Sequence, residues 1–79
     1  MGIEIETLGK YQIHLLALEV AQPPGWDAYL SVVHFSDAAQ DFVPVLEKFE
    51  VPGGPFADRA SALDAARMLA NSLLQQGEI

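Results

Sequence analysis

The chain has 79 residues and a mass of 8.6 kDa, with four Lys and Arg against eleven Asp and Glu (net charge −7) and no cysteine. At this length one domain is expected; disulfides and thiolate metal sites are excluded, so stability must come from a good core or a partner chain. An apolar content of 51% excludes a disordered chain, and the acidic balance opposes nucleic acid as a partner, because binding phosphate needs a basic footprint.

The opening residues Met1-Gly2-Ile3-Glu4-Ile5-Glu6 are acidic, and no uncharged apolar region follows, so no secretory signal is expected. Glu19, Asp27, Asp37 and Asp41 interrupt every long apolar window, which leaves no membrane span. By elimination the expectation is a cytoplasmic, bacterial-type protein with neither membrane nor nucleic acid as partner.

In chain order, residues 1–9 read as a loosely held lead-in, extended through Ile3 and Ile5. Lys10 to Val20 is rich in strand formers. Tyr11, Ile13, Leu15 and Ala17 share one face; Gln12, His14, Leu16, Leu18 and Val20 share the other. Ala21 to Gly25 is a turn. Trp26 to Phe35 is a second strand, in which Trp26, Ala28, Leu30 and Val32 alternate against Asp27, Tyr29, Ser31, Val33 and Phe35. A polar turn at 36–41 leads to a third strand from about Val43 to Val51, where Pro44 suits a strand end or a sheet edge. Pro52-Gly53-Gly54-Pro55 stops the sheet. Asp58 then stands where an N-cap belongs, with Ser61 and Asp64 as an alternative capping pair. Leu63, Ala66, Leu69, Ala70 and Leu73 form one apolar stripe at helical spacing, and Gly77 is the stop.

The fold expectation is therefore α+β: a three-stranded antiparallel β-meander over 10–51 with one C-terminal α-helix over 58–76 packed on one face (β-β-β-α), in a single domain of residues 1–79. The helix is expected to cover Tyr11, Ile13, Leu15, Trp26, Ala28, Leu30 and Val32. Phe49 and Val51 would complete the core, and Phe56 would close its end.

One helix covers one face, and the other face of such a sheet is ordinarily polar. Here it would carry Leu16, Leu18, Val20, Tyr29, Val33, Phe35 and Leu46. An exposed apolar patch of that size marks an interaction site, so the expectation is a homodimer through Leu16, Leu18, Tyr29, Val33 and Phe35.

No motif specifies a chemistry. His14 and His34, on adjacent strands, would need Asp27 or Glu19 to complete a metal site, and their spacing matches no metal motif. Ser31 is the one strand serine, and nothing marks it as a nucleophile. Glu47 and Glu50 point to opposite sides of their strand, so they do not suit shared acid–base work. The Pro-Gly-Gly-Pro segment lacks the Lys-Ser/Thr of a phosphate loop and reads as a connector. Trp26 reads as a core anchor. No catalytic residue, cofactor or metal is expected.

Tyr11-x-Ile13, then Gly25-Trp26-x-Ala28-x-Leu30-x-Val32, then Phe56 and a helix with Ala62-Leu63 and Ala66 resemble a group of small stand-alone bacterial proteins of unknown function. That resemblance covers residues 10–76 and implies the β-β-β-α fold, with no activity. The passage from strands through a Pro-Gly segment to an Ala/Leu-rich helix ending Leu73-Leu74-Gln75-Gln76-Gly77-Glu78-Ile79 is similar to the N-terminal domain of HicB-type antitoxins. It would imply an acidic protein that covers a basic partner, although the separate DNA-binding segment of that pattern is lacking. The strand order also resembles the three-stranded DNA readers of plant ethylene-response factors and integrase N-terminal domains. Those strands are Arg-rich, whereas these carry only Lys10 and Lys48, so the resemblance extends to the fold and not to DNA binding. The expected function is a non-enzymatic domain acting through protein contacts as a homodimer; the alternative is an acidic regulator masking a basic protein.

Overall fold

The computed structural model describes residues 3–22 and 24–77. Pro23, which the expected turn included, and residues 1–2 of the expected lead-in lie outside them. Four strands and one helix follow in order: β1 (Ile3–Leu8), β2 (Tyr11–Ala21), β3 (Pro24–Ser36), β4 (Asp41–Glu50) and α1 (Arg59–Gln75). Each strand pairs antiparallel with the next, giving a sheet of order β1-β2-β3-β4.

The expectation of three strands is corrected to four. Residues 3–8 of the expected lead-in are a regular strand, paired one for one from Ile3 opposite Leu16 to Leu8 opposite Tyr11. Gly9 makes the tight turn between β1 and β2 possible, because its φ of +62° is left-handed backbone. The side chains of β1 alternate. Ile3 and Ile5 share a face with Leu16 and His14, while Glu4 and Glu6 share the opposite face with Leu15 and Ile13. Those two carboxylates meet cations from α1. Arg67 Nε donates to Glu6 at 2.6 Å, Arg67 and Arg59 lie 3.9 and 3.7 Å from Glu4, and Asp64 holds the far side of Arg67 at 2.5 Å. Glu6 and Asp64 together hold the Arg67 guanidinium charged, raising its proton affinity above the ordinary arginine value, first through the Glu6 hydrogen bond.

Helix α1 begins at the expected cap. The Asp58 carboxylate accepts the Ser61 backbone N–H at 2.8 Å, and this bond holds Asp58 below the usual carboxylate range. The helix lies over the two central strands, β2 and β3, with Ala62, Leu63, Ala66 and Ala70 buried against them. Ile13, Leu15, Leu30 and Val32 are the largest fully buried side chains opposite it. Tyr11, Trp26, Phe49 and Phe56 pack around this core and Val51 is buried within it, as their spacing predicts.

The connector after β4 is strapped to the start of β3. Trp26 N–H donates to the Phe56 carbonyl at 2.9 Å, and Phe56 N–H donates to the Trp26 carbonyl at 2.7 Å. Gly25 is required there: a Cβ on it would stand 2.8 Å from the Phe56 carbonyl oxygen.

Strand β4 departs from simple alternation. Its register against β3 shifts between Leu30 and Val32 and again between Val32 and Val33. These irregularities turn Leu46 to the helix side, opposite Val32, and it packs against the core. Leu46 therefore leaves the set of residues expected on the uncovered face, because an extra residue flips every side chain beyond it.

Candidate functional site

The face of the sheet opposite α1 is the candidate site. Unbroken pairing of β2 with β3 fixes its composition, since Leu16 opposes Tyr29, Leu18 opposes Asp27 and Gln12 opposes Val33. Leu16, Leu18, Tyr29, Val33 and Phe35 all lie on this face, where the alternation places them. The first four are half-buried by their neighbours. Phe35 is more open, and its ring meets Phe42 of β4 edge to face, with centroids 5.5 Å apart. Such a pair is favourable beyond its buried area.

Three residues extend the surface. Ile3 and Ile5, 58% and 56% exposed, continue it across β1, and Phe42 continues it onto β4. The isoleucines were not recognisable as part of a face without knowing that β1 is a strand. Phe42 lies just outside the expected third strand. Charge enters at the periphery: Asp27 faces Leu18 near one end, Glu50 pairs with Tyr29 at the β4 edge, and Lys48 Nζ lies 5.5 Å from the Tyr29 ring centroid. At that distance the cation is held by the ring's negative face.

The two histidines do not come together. His14 pairs with Ser31 on the uncovered face, whereas His34 pairs with Tyr11 on the helix side. The His34 ring is tilted against Tyr11 at 6.0 Å, and its Nδ1 donates to the Phe35 carbonyl at 3.1 Å. Among the described residues, no three His, Asp or Glu side chains gather as a metal site.

His14 and Ser31 are direct cross-strand neighbours, so a base and a hydroxyl do share a face. They are not joined: His14 Nε2 is shielded from solvent and has no hydrogen-bond partner among the described residues. The pairing also supplies no carboxylate to orient the imidazole. Ile5 opposes it on β1, and Gln12 and Leu16 flank it on its own strand. The arrangement lacks the third member that a nucleophilic constellation needs.

A depression of about 380 Å³ lies where β2 runs beyond its pairing with β1, lined by Ala17, Leu18, Glu19, Trp26 and Arg59. It brings an indole, a carboxylate and a guanidinium to one end of the sheet. Nothing in the sequence spacing signalled it, because its residues come from a strand end, a strand start and a helix start. No helix among the described residues is long and apolar enough to cross a membrane. No protein-family model, no curated protein and no solved structure matches the chain.

Proposed function

We propose that the protein is a non-enzymatic interaction module that works as a homodimer through the uncovered sheet face. The observation that carries this reading is the composition of that face: Leu16, Leu18, Tyr29, Val33 and Phe35, extended by Ile3, Ile5 and Phe42, share it with no element among the described residues packed over them. The His14–Ser31 pair and Gln12 interrupt these apolar residues, and burying the apolar area on either side of that polar row is what association would gain. A second copy is favoured as the occupant. The charged residues on the face stand at its periphery and include both signs, so two copies can meet with little like-charge repulsion despite their net charge. A two-fold contact also needs one self-complementary patch only.

The test is solution mass by light scattering across a range of concentrations. The wild-type chain is expected above the mass of one chain, and Leu18→Asp or Val33→Asp is expected to lower that mass while circular dichroism still shows a folded domain. A wild-type mass of one chain throughout, or an aspartate variant with unchanged mass, overturns the reading. The alternative, an acidic regulator of a basic protein, is favoured by the charge map. Arg59 and Arg67 are engaged by Glu4, Glu6 and Asp64, and most of the other carboxylates among the described residues make no ion pair. Capture of a basic partner that is lost as salt rises would favour that reading.

A further inference from the structure

The two edges of the sheet are built differently. β4 carries Pro44 within the strand and shifts register twice against β3. Proline offers no N–H, and a bulge bends the edge away from a flat partner, so this edge resists a further strand. β1, at the other edge, has neither device: its six residues pair with β2 without interruption. Alternate residues of β1 turn their backbone N–H and C=O outward, which is the template an added strand completes. Ile3 and Ile5, among the most exposed large apolar side chains, belong to this strand.

We infer that β1 pairs antiparallel with β1 of a second copy, about a two-fold axis perpendicular to the sheet and midway between the two Ile5 residues. Such an axis keeps each face continuous, so opposed residues must come from the same face. Ile5 then meets its own counterpart, Ile3 meets Thr7, and on the helix side Glu4 meets Glu6. A shift of the axis to Glu6 would set that carboxylate against itself and leave Ile3 without a partner.

Opposed glutamates repel, and here Arg59 and Arg67 offset part of that repulsion. Each copy brings Glu4 and Glu6 to the seam together with Arg59 and Arg67, which lie 2.6 to 3.9 Å from those carboxylates. With Asp64 also on Arg67, the cluster keeps one net negative charge per copy. Because only one edge of the described sheet is open in this way, the pairing closes after two copies instead of running on as a filament. It uses backbone groups at the sheet edge and does not rest on the face contact proposed above.

A chain without cysteine lets single cysteines read the register. Opposed Cα atoms in an antiparallel ladder are roughly 4.5–5.5 Å apart, within the span of a disulfide. Ile5→Cys is therefore expected to form an intermolecular disulfide under mild oxidation. Ile3→Cys and Thr7→Cys are each expected to cross-link with themselves about tenfold more slowly, while a mixture of the two recovers fast cross-linking. Met68→Cys, on the open side of α1 at 70% exposure, sets the rate of chance collision. Ile5→Cys no faster than Met68→Cys overturns the proposal, and so does fast self-cross-linking of Ile3→Cys. Repeating the series in a Leu18→Asp background separates the two contacts: fast Ile5→Cys cross-linking there keeps the edge pairing, whatever becomes of the face.

Discussion

Strands β2 and β3 present two apolar faces that meet different ends. On one, Ile13, Leu15, Ala28, Leu30 and Val32 are 0–1% exposed beneath α1. On the other, Leu16, Leu18, Tyr29 and Val33 are only half-buried, by one another. The side chains differ little in kind. What differs is cover, and the described residues supply one helix for two such faces. Hydrophobicity thus fixes which residues seek burial, while topology decides which obtain it within the protomer.

Several substitutions can break or sharpen this contrast. The largest effect is expected in the covered face: Leu30→Ala removes fully buried contacts and is expected to cost about 2–5 kcal/mol in denaturant unfolding. Gly25→Ala drives a methyl against the Phe56 carbonyl and is expected to cost about 1–3 kcal/mol, with loss of the strap that closes one end of that face. Leu16→Ala, across the sheet from the core, is expected to cost under about 1.5 kcal/mol in the isolated protomer, since its site is only half-buried there. Its larger effect should be on solution mass. A Leu16→Ala loss equal to that of Leu30→Ala, with no change in mass, would erase the distinction between the faces.

The helix that makes the distinction can be loosened at its cap. Asp58 has a lowered proton affinity in the folded chain, so its stabilisation is present above the ordinary carboxylate range near pH 3.9 and is lost as pH falls through its own lower value. Asp58→Ala is expected to lower the melting temperature at pH 7, and the gap from wild type should narrow progressively below about pH 4. Arg67→Ala should have the smallest effect, under about 1 kcal/mol, because its ion pairs are partly exposed and screened. Rising salt should shrink that difference further.

Much of this was legible. Unbroken alternation in β2 and β3 assigned the faces correctly, and Asp58 and Gly77 marked the helix ends because capping chemistry is local. β1 was not legible as a strand. Glu4 and Glu6 look like solvated residues in a short segment, and the cations that accept them lie about sixty residues further along, on a helix whose placement no local pattern encodes. Leu46 was assigned to the wrong face because a bulge leaves the residue types unchanged while reversing their direction. The candidate face was legible in its centre, on β2 and β3, and incomplete at both flanks for these same reasons.

The helix that covers the central strands comes last in chain order, and 25 residues separate Glu50 from Gln75. At roughly 5–20 residues per second of synthesis, the four strands are complete about 1–5 s before the helix is. During that interval both apolar faces of the nascent sheet are bare. The ribosome-bound chain then exposes the apolar face that α1 later covers as well as the one it leaves open, and its yield in a cell should depend on how quickly the seventeen-residue helix follows the sheet.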